Sequence, residues 1–131
     1  MRKVIRTSDA PKPLGVYSQA ILSDGFVFVA GQVPVNPATG QLELGDIHFE
    51  TRRVLRNIAA ILHTAGSSLA EAVRLGVFLA NVDDFPALNE VFGEFFPINP
   101  PARTTIFCTL PKNIKVEIDC IARVKRRKGC R

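Results

Sequence analysis

The last strand carries the clearest pattern in the chain. From Lys115 to Val124, the residues Val116, Ile118, Cys120, Ala122 and Val124 alternate with Lys115, Glu117, Asp119, Ile121 and Arg123. A period of two sends successive side chains to opposite faces of a sheet. Ile47 to Ala65 reads differently. Its apolar residues fall at 47, 54, 55, 58, 61, 62 and 65, a stripe of helical period, with Asp46 placed to cap the start and Gly66 the end. Arg52, Arg53 and Arg56 stay off that stripe. Lys3 to Thr7 is expected as a first strand. Tyr17 to Leu22 and Phe26 to Ala30 flank Ser23-Asp24-Gly25, a hairpin turn in which Gly accepts positive φ. Gly31, Pro34, Pro37, Gly40 and Gly45 mark residues 31–45 as a loop. Ala72 to Ala80 is expected as a strand with Val73, Leu75, Val77 and Leu79 on one face. Asp83 is placed to cap a second helix carrying Phe85, Leu88, Val91, Phe92, Phe95 and Phe96, which Pro97 ends. Pro100 and Pro101 keep the next segment in a loop. Thr104 to Thr109 is the remaining strand.

The order β-β-β-α-β-α-β-β predicts a two-layer α+β domain, a mixed sheet with two helices on one face. One domain spans 1–124 and a basic tail 125–131. Phe26 to Ala30 and most of Val73 to Ala80 are apolar on both faces, and helices cover only one of them. The uncovered face predicts self-association into a homo-oligomer.

Composition sharpens this picture. The 131 residues suit one domain, and 47% apolar with 22% charged residues is ordinary for a globular protein. No apolar run reaches the roughly 18 residues of a membrane-crossing helix, and Met1 to Thr7 lacks the apolar core of a secretory signal. The net charge of +5 is local. Six of the 17 basic residues are Arg123, Lys125, Arg126, Arg127, Lys128 and Arg131; removing them leaves 11 against 12 acidic residues. A uniformly basic nucleic-acid surface is therefore disfavoured; the tail is a solvated charge run or touches an anionic partner. Cys108, Cys120 and Cys130 are odd in number and lack CxxC spacing, which points to reduced thiols inside a cell, in the cytoplasm or a mitochondrion. Scattered Cys and two distant His make no zinc pattern, so no metal is expected.

Candidate chemistry is sparse. Arg103 follows Pro100-Pro101-Ala102, and its guanidinium fork fits a carboxylate. Asp119 lies beside it if the last two strands pair as a hairpin through Leu110-Pro111-Lys112-Asn113. Such a pair binds a small acid and orients a water, or is a plain surface salt bridge. Ala30-Gly31-Gln32-Val33-Pro34 runs a buried strand into a Gly, which either lets a ligand approach the backbone or simply ends the strand. Tyr17 offers a phenolic donor or packs. Asn89, between Leu88 and Val91, reads as a capping or core hydrogen-bonding group. No GxSxG, P-loop or GxGxxG occurs. His48 and His63 both sit on the long helix, away from any nucleophile, and the aromatics are mostly Phe at core spacing rather than a base-stacking platform.

Four ordered segments carry a resemblance. Gly15-Val16-Tyr17-Ser18-Gln19-Ala20, Ala30-Gly31-Gln32-Val33-Pro34-Val35-Asn36-Pro37-Ala38-Thr39-Gly40, Val82-Asp83-Asp84-Phe85 with Asn89, and Pro101-Ala102-Arg103-Thr104 followed by Leu110-Pro111-Lys112 and Val116 to Ala122 resemble the signatures of the RidA/YjgF (L-PSP) family over about residues 8–124. The resemblance implies a chorismate-mutase-like fold assembled as a homotrimer, with ligand clefts between subunits and neither metal nor cofactor. It implies hydrolysis of reactive 2-imino or enamine acids, such as 2-iminobutanoate and 2-iminopropanoate, to 2-keto acids and ammonia. Arg103 matches the residue that clamps the substrate carboxylate. Asp119 falls where a water-positioning Glu is usual, with Glu117 a second carboxylate on the same face. Tyr17, Gly31 and Asn89 match cleft residues, Ala30 stands where Ser is usual, and Thr105 where Cys is frequent. Two alternatives accompany this reading: a non-catalytic small-carboxylate-binding or chaperone-like trimer, and an RNA-directed activity favoured only by the basic tail.

Overall fold

The computed structural model describes residues 1–125; beyond Lys125 the expected basic tail, with Cys130, lies outside the described residues. The elements are β1 (Arg2–Ile5), β2 (Ala20–Ser23), β3 (Phe26–Gln32), α1 (Ile47–Thr64), β4 (Ala72–Leu79), α2 (Phe85–Phe95), β5 (Ala102–Phe107) and β6 (Val116–Arg123). Their order is the expected one, and the domain is α+β. The strands form one mixed sheet in the order β1-β2-β3-β6-β4-β5, with only β4 and β5 parallel.

Local chemistry explains most boundaries. Asp24 and Gly25 both take positive φ, 51° and 82°, in the two-residue turn that joins β2 to β3. The Asp46 Oδ1 accepts the Phe49 backbone N–H at 2.8 Å and starts α1. Gly66, at φ 82°, follows its last turn. All seven residues of the α1 stripe are buried. They pack on β6 and β3, and α2 packs on α1.

Several expectations are corrected. Strand β2 begins at Ala20 rather than Tyr17, because the buried Gln19 side chain serves the preceding loop instead: its Oε1 accepts from Thr7 N, and its Nε2 donates to the Thr7, Ala10 and Pro11 carbonyls. Asp83 does not cap α2. It lies inside a one-turn 3-10 helix, Val82–Asp84, capped by Asn81, whose Oδ1 accepts the Asp83 N–H. Val73 leaves the Leu75, Val77, Leu79 face because the register shifts between Ala72 and Arg74; it is 41% exposed. The β5–β6 hairpin does not form. Strand β4 lies between them. β4, α2 and β5 make a crossover unit, which runs its strands parallel and leaves the other edge of β4 for β6.

The helix-side face is closed. Val27, Val29, Leu75, Val77, Leu79, Val116, Ile118, Cys120 and Ala122 are buried there. The opposite face is not. Register aligns Val4, Ile21, Phe28 and Ile121 across four strands, and Phe26, Phe28 and Ile106 are 41%, 44% and 48% exposed.

Candidate functional site

Register decides which side chains can meet. Cys120 pairs with Leu75, and Leu75 with Arg103, so Arg103 shares the helix-side face with two buried residues. Asp119 pairs with Gly76 and points to the open face. Arg103 and Asp119 are therefore not neighbours within one chain, and the pairing expected of them is absent. Thr105, opposite Val77, follows Arg103 on its face.

The Arg103 guanidinium stacks 4.8 Å from the Phe92 ring centroid and 5.5 Å from that of Phe85. Phe85 is held edge-on by Phe107 at 6.1 Å, and Phe92 leans on Phe96 at 5.5 Å. Burial lowers the arginine's pKa from its ordinary value, which leaves it charged in any working range. Among the described residues its donors have no hydrogen-bond or ion-pair partner. A cation with covered faces and unfilled edges suits a planar anion. It opens on a cleft of about 420 Å³, with Asn89, Phe92, Phe96, Pro100 and Pro101. Asn89 is exposed there, not the core or capping group expected from its spacing.

A second group forms at the bulge of β3. Val29 pairs with Cys120 and Gln32 with Ile118, so Ala30 and Gly31 together oppose the one position of Asp119. The bulge is fixed on all sides: Ala30 N donates to the Gln19 carbonyl at 2.9 Å, Gln32 Nε2 to the Ala30 carbonyl at 3.2 Å. Asn57 Nδ2 holds the following loop through the Val35 carbonyl at 2.9 Å. The Glu117 carboxylate lies over Gly31, and a Cβ there would push that side chain aside. Asp119 is already engaged. Its Oδ1 accepts the Gly76 N–H at 2.9 Å and lies 3.7 Å from Arg74 Nη1. Glu117 is half-buried, and among the described residues it makes no hydrogen bond or ion pair. Burial, and then the negative charge of Asp119, raise its pKa above the ordinary carboxyl value. Tyr17 is exposed beside this group; its hydroxyl accepts the Leu14 N–H at 3.1 Å, and it lines a groove with Phe28 and Ala30.

The structure thus sorts the expected residues into two half-sites. Arg103, Thr105 and Asn89 lie at the β5 edge on the helix side. Tyr17, Ala30, Gly31 and Asp119 gather near β3 on the open side, joined by Glu117. Strands β3 and β5 are three strand spacings apart, about 14 Å. Alternation places Glu117 and Asp119 on one face, and it is the family resemblance that puts the water-positioning role at Asp119 and leaves Glu117 second. Only the bulge register shows which carboxylate is unengaged. The Phe85 and Phe92 stack on Arg103 is not legible from spacing either, since their helical period reads as core.

A two-layer α+β domain that offers an uncompensated arginine at one edge and an unengaged carboxylate near the other has the groups to hold a small anion. Comparison with known proteins supplies the family. The model of the Endoribonuclease L-PSP family matches residues 7–124. A RutC family protein of Pyrococcus horikoshii is 47% identical over 123 residues, covering 93% of this chain and 98% of the relative. The 2-iminobutanoate/2-iminopropanoate deaminase of Rattus norvegicus is 41% identical over 123 residues, covering 93% and 90%. The crystal structure of E. coli TdcF with bound serine superposes with a TM-score of 0.88 at 35% identity, covering 94% of this chain and 99% of that one. The chain belongs to the Endoribonuclease L-PSP family, whose members include the RidA and RutC proteins. Among the described residues no helix is long and apolar enough to cross a membrane.

Proposed function

We propose that this chain hydrolyses 2-imino acids to 2-keto acids and ammonia, in clefts shared between subunits of a homotrimer. The observation that carries the reading is Arg103, a stacked guanidinium with unfilled donors facing an open cleft. Two half-sites about 14 Å apart on opposite faces serve one small molecule only if neighbouring chains bring them together. The exposed apolar side chains Val4, Phe28 and Ile106 on the open face supply a surface for that assembly. The deaminase name of the rat relative supports the reaction class.

In this reading Arg103 grips the substrate carboxylate through paired N–H donors, aided by Thr105 and Asn89. Tyr17 and the Ala30–Gly31 backbone border the reacting carbon. The water-orienting role passes from Asp119 to Glu117, whose proton affinity is held up by burial and then by the neighbouring Asp119. A water oxygen bonds to C2 of the protonated imine while the C=N pair moves onto nitrogen. The water's proton goes to the Glu117 carboxylate. Glu117 then returns it to the amine nitrogen; as the C–N bond breaks, the regenerated Glu117 carboxylate takes the hydroxyl proton and passes it to the departing ammonia, so keto acid and ammonium result. An imine is already electrophilic, so placement of water and carboxylate supplies the catalysis.

The serine bound in TdcF favours a second reading, a binder of small amino or keto acids without turnover. One experiment separates them. 2-Iminobutanoate is generated by an unrelated threonine dehydratase, and 2-ketobutyrate release is followed against a trapping amine. Acceleration by the native chain and not by Arg103→Ala is expected. A folded native protein that gives no acceleration leaves the binding reading.

A further inference from the structure

Within one chain, the cleft beside Arg103 is larger than a two-carbon side chain needs. Its volume of about 420 Å³ lies in the ~300–1,000 Å³ range that ligands of drug size fill. Its chemistry is asymmetric. Among the described residues Arg103 is the one charged side chain that lines it, Asn89 the one other polar side chain, and Phe92, Phe96, Pro100 and Pro101 make the rest apolar. Phe92 and Phe96 are 8% and 7% exposed and packed on one another. Gly93 completes it. Gly93 lies on α2 four residues after Asn89, hence on the same helix face. A Cβ built there meets nothing of the same chain within 4 Å, so within one chain the space above it is open. Gly is a poor helix former, and no positive φ at this site demands it.

We propose that this cleft is a side-chain subsite that selects 2-imino acids with branched or aromatic apolar side chains over those with one or two carbons, and that Gly93 keeps it open. The inference rests on the imine-hydrolase reading and extends it to the substrate's side chain. With the carboxylate on Arg103, a ligand's apolar group runs along Phe92 and Phe96 toward Pro100. A charged or strongly polar side chain finds no partner there beyond Asn89 and is disfavoured by desolvation.

The test uses the full chain with an L-amino-acid oxidase and catalase, which generate imines from 2-aminobutyrate, leucine and phenylalanine. The fall in trapping by semicarbazide reports hydrolysis. The native chain is expected to show kcat/KM about ten-fold or more higher for the leucine and phenylalanine imines. Gly93→Leu is expected to lower the phenylalanine-to-aminobutyrate ratio by about ten-fold or more, and Gly93→Ala by less, which covers the case of a Leu variant that fails to fold. Equal ratios in native and variant chains, or a uniform loss for every substrate, overturn the subsite. A native chain inactive on all three imines overturns hydrolysis itself. The subsite is then read by calorimetry: tighter binding of phenylpyruvate than of pyruvate, weakened by Gly93→Ala, upholds it, and equal affinity refutes it.

Discussion

Glu50 is fully buried, and its removal is expected to be the costliest single polar change in the domain. It lies in the first turn of α1. Its Oε1 accepts the Lys115 backbone N–H at 2.8 Å, and its Oε2 accepts the Gly45 N–H at 3.2 Å and lies 3.4 Å from Lys115 Nζ. One carboxylate thus ties the start of α1, the end of the 31–45 loop and the entry to β6. In Glu50→Ala, two backbone donors lose a charged acceptor. Each such bond is worth about 1.5–3 kcal/mol. The Lys115 side chain is 39% exposed, so its ammonium rehydrates and adds little. The expected loss is about 3–5 kcal/mol, or roughly 12–20 °C in Tm at about 4 °C per kcal/mol for a chain of this size. Glu50→Gln keeps one acceptor oxygen and turns an NH2 toward the other donor, so its cost falls between native and Ala. Lys115→Met is expected to cost about 1 kcal/mol or less. Urea unfolding at fixed protein concentration measures all three, since oligomerisation makes stability concentration-dependent. A Glu50→Ala loss below about 1 kcal/mol, or a Lys115→Met loss as large as that of Glu50→Ala, refutes the reasoning.

Glu117→Gln is expected to lower kcat for imine hydrolysis by about 10²-fold or more and to remove the acidic limb of the pH–rate profile. The same substitution raises Tm at neutral pH. Glu117's pKa is raised in the fold, so the folded state holds a proton that the unfolded state has lost, and stability falls as pH rises through that interval; a variant whose Tm advantage does not shrink in acid contradicts this. Phe28→Asp places a charge in the middle of the open-face apolar row Val4-Ile21-Phe28-Ile121, and sedimentation velocity is expected to show dissociation to monomer. Cys120 is 1% exposed and its thiol is pushed up to about 12 by burial and by Asp119. Iodoacetamide at pH 8 is expected to label the half-exposed Cys108 and spare Cys120, as read by peptide mass spectrometry.

Features that depend on near neighbours in the chain were legible from the residues alone. The alternation from Val116 to Ala122 and the stripe from Ile47 to Ala65 report burial directly, because a strand or helix converts short spacings into faces. Asp46 capping α1 is local in the same sense. Tyr17, Gly31, Asn89, Arg103 and Asp119 were each identifiable as candidates, one motif at a time. Tertiary structure alone decided how they meet. Strand partners are chosen by the whole sheet, so the crossover through α2 put β4 between β5 and β6 and separated Arg103 from Asp119 onto opposite faces. The shift at Val29–Gln32 set Gly31 against Glu117, while Asp119 spent its oxygen on Gly76. A one-residue change of register moves a side chain to the other face, and no spacing within a single strand records where its neighbour places that shift.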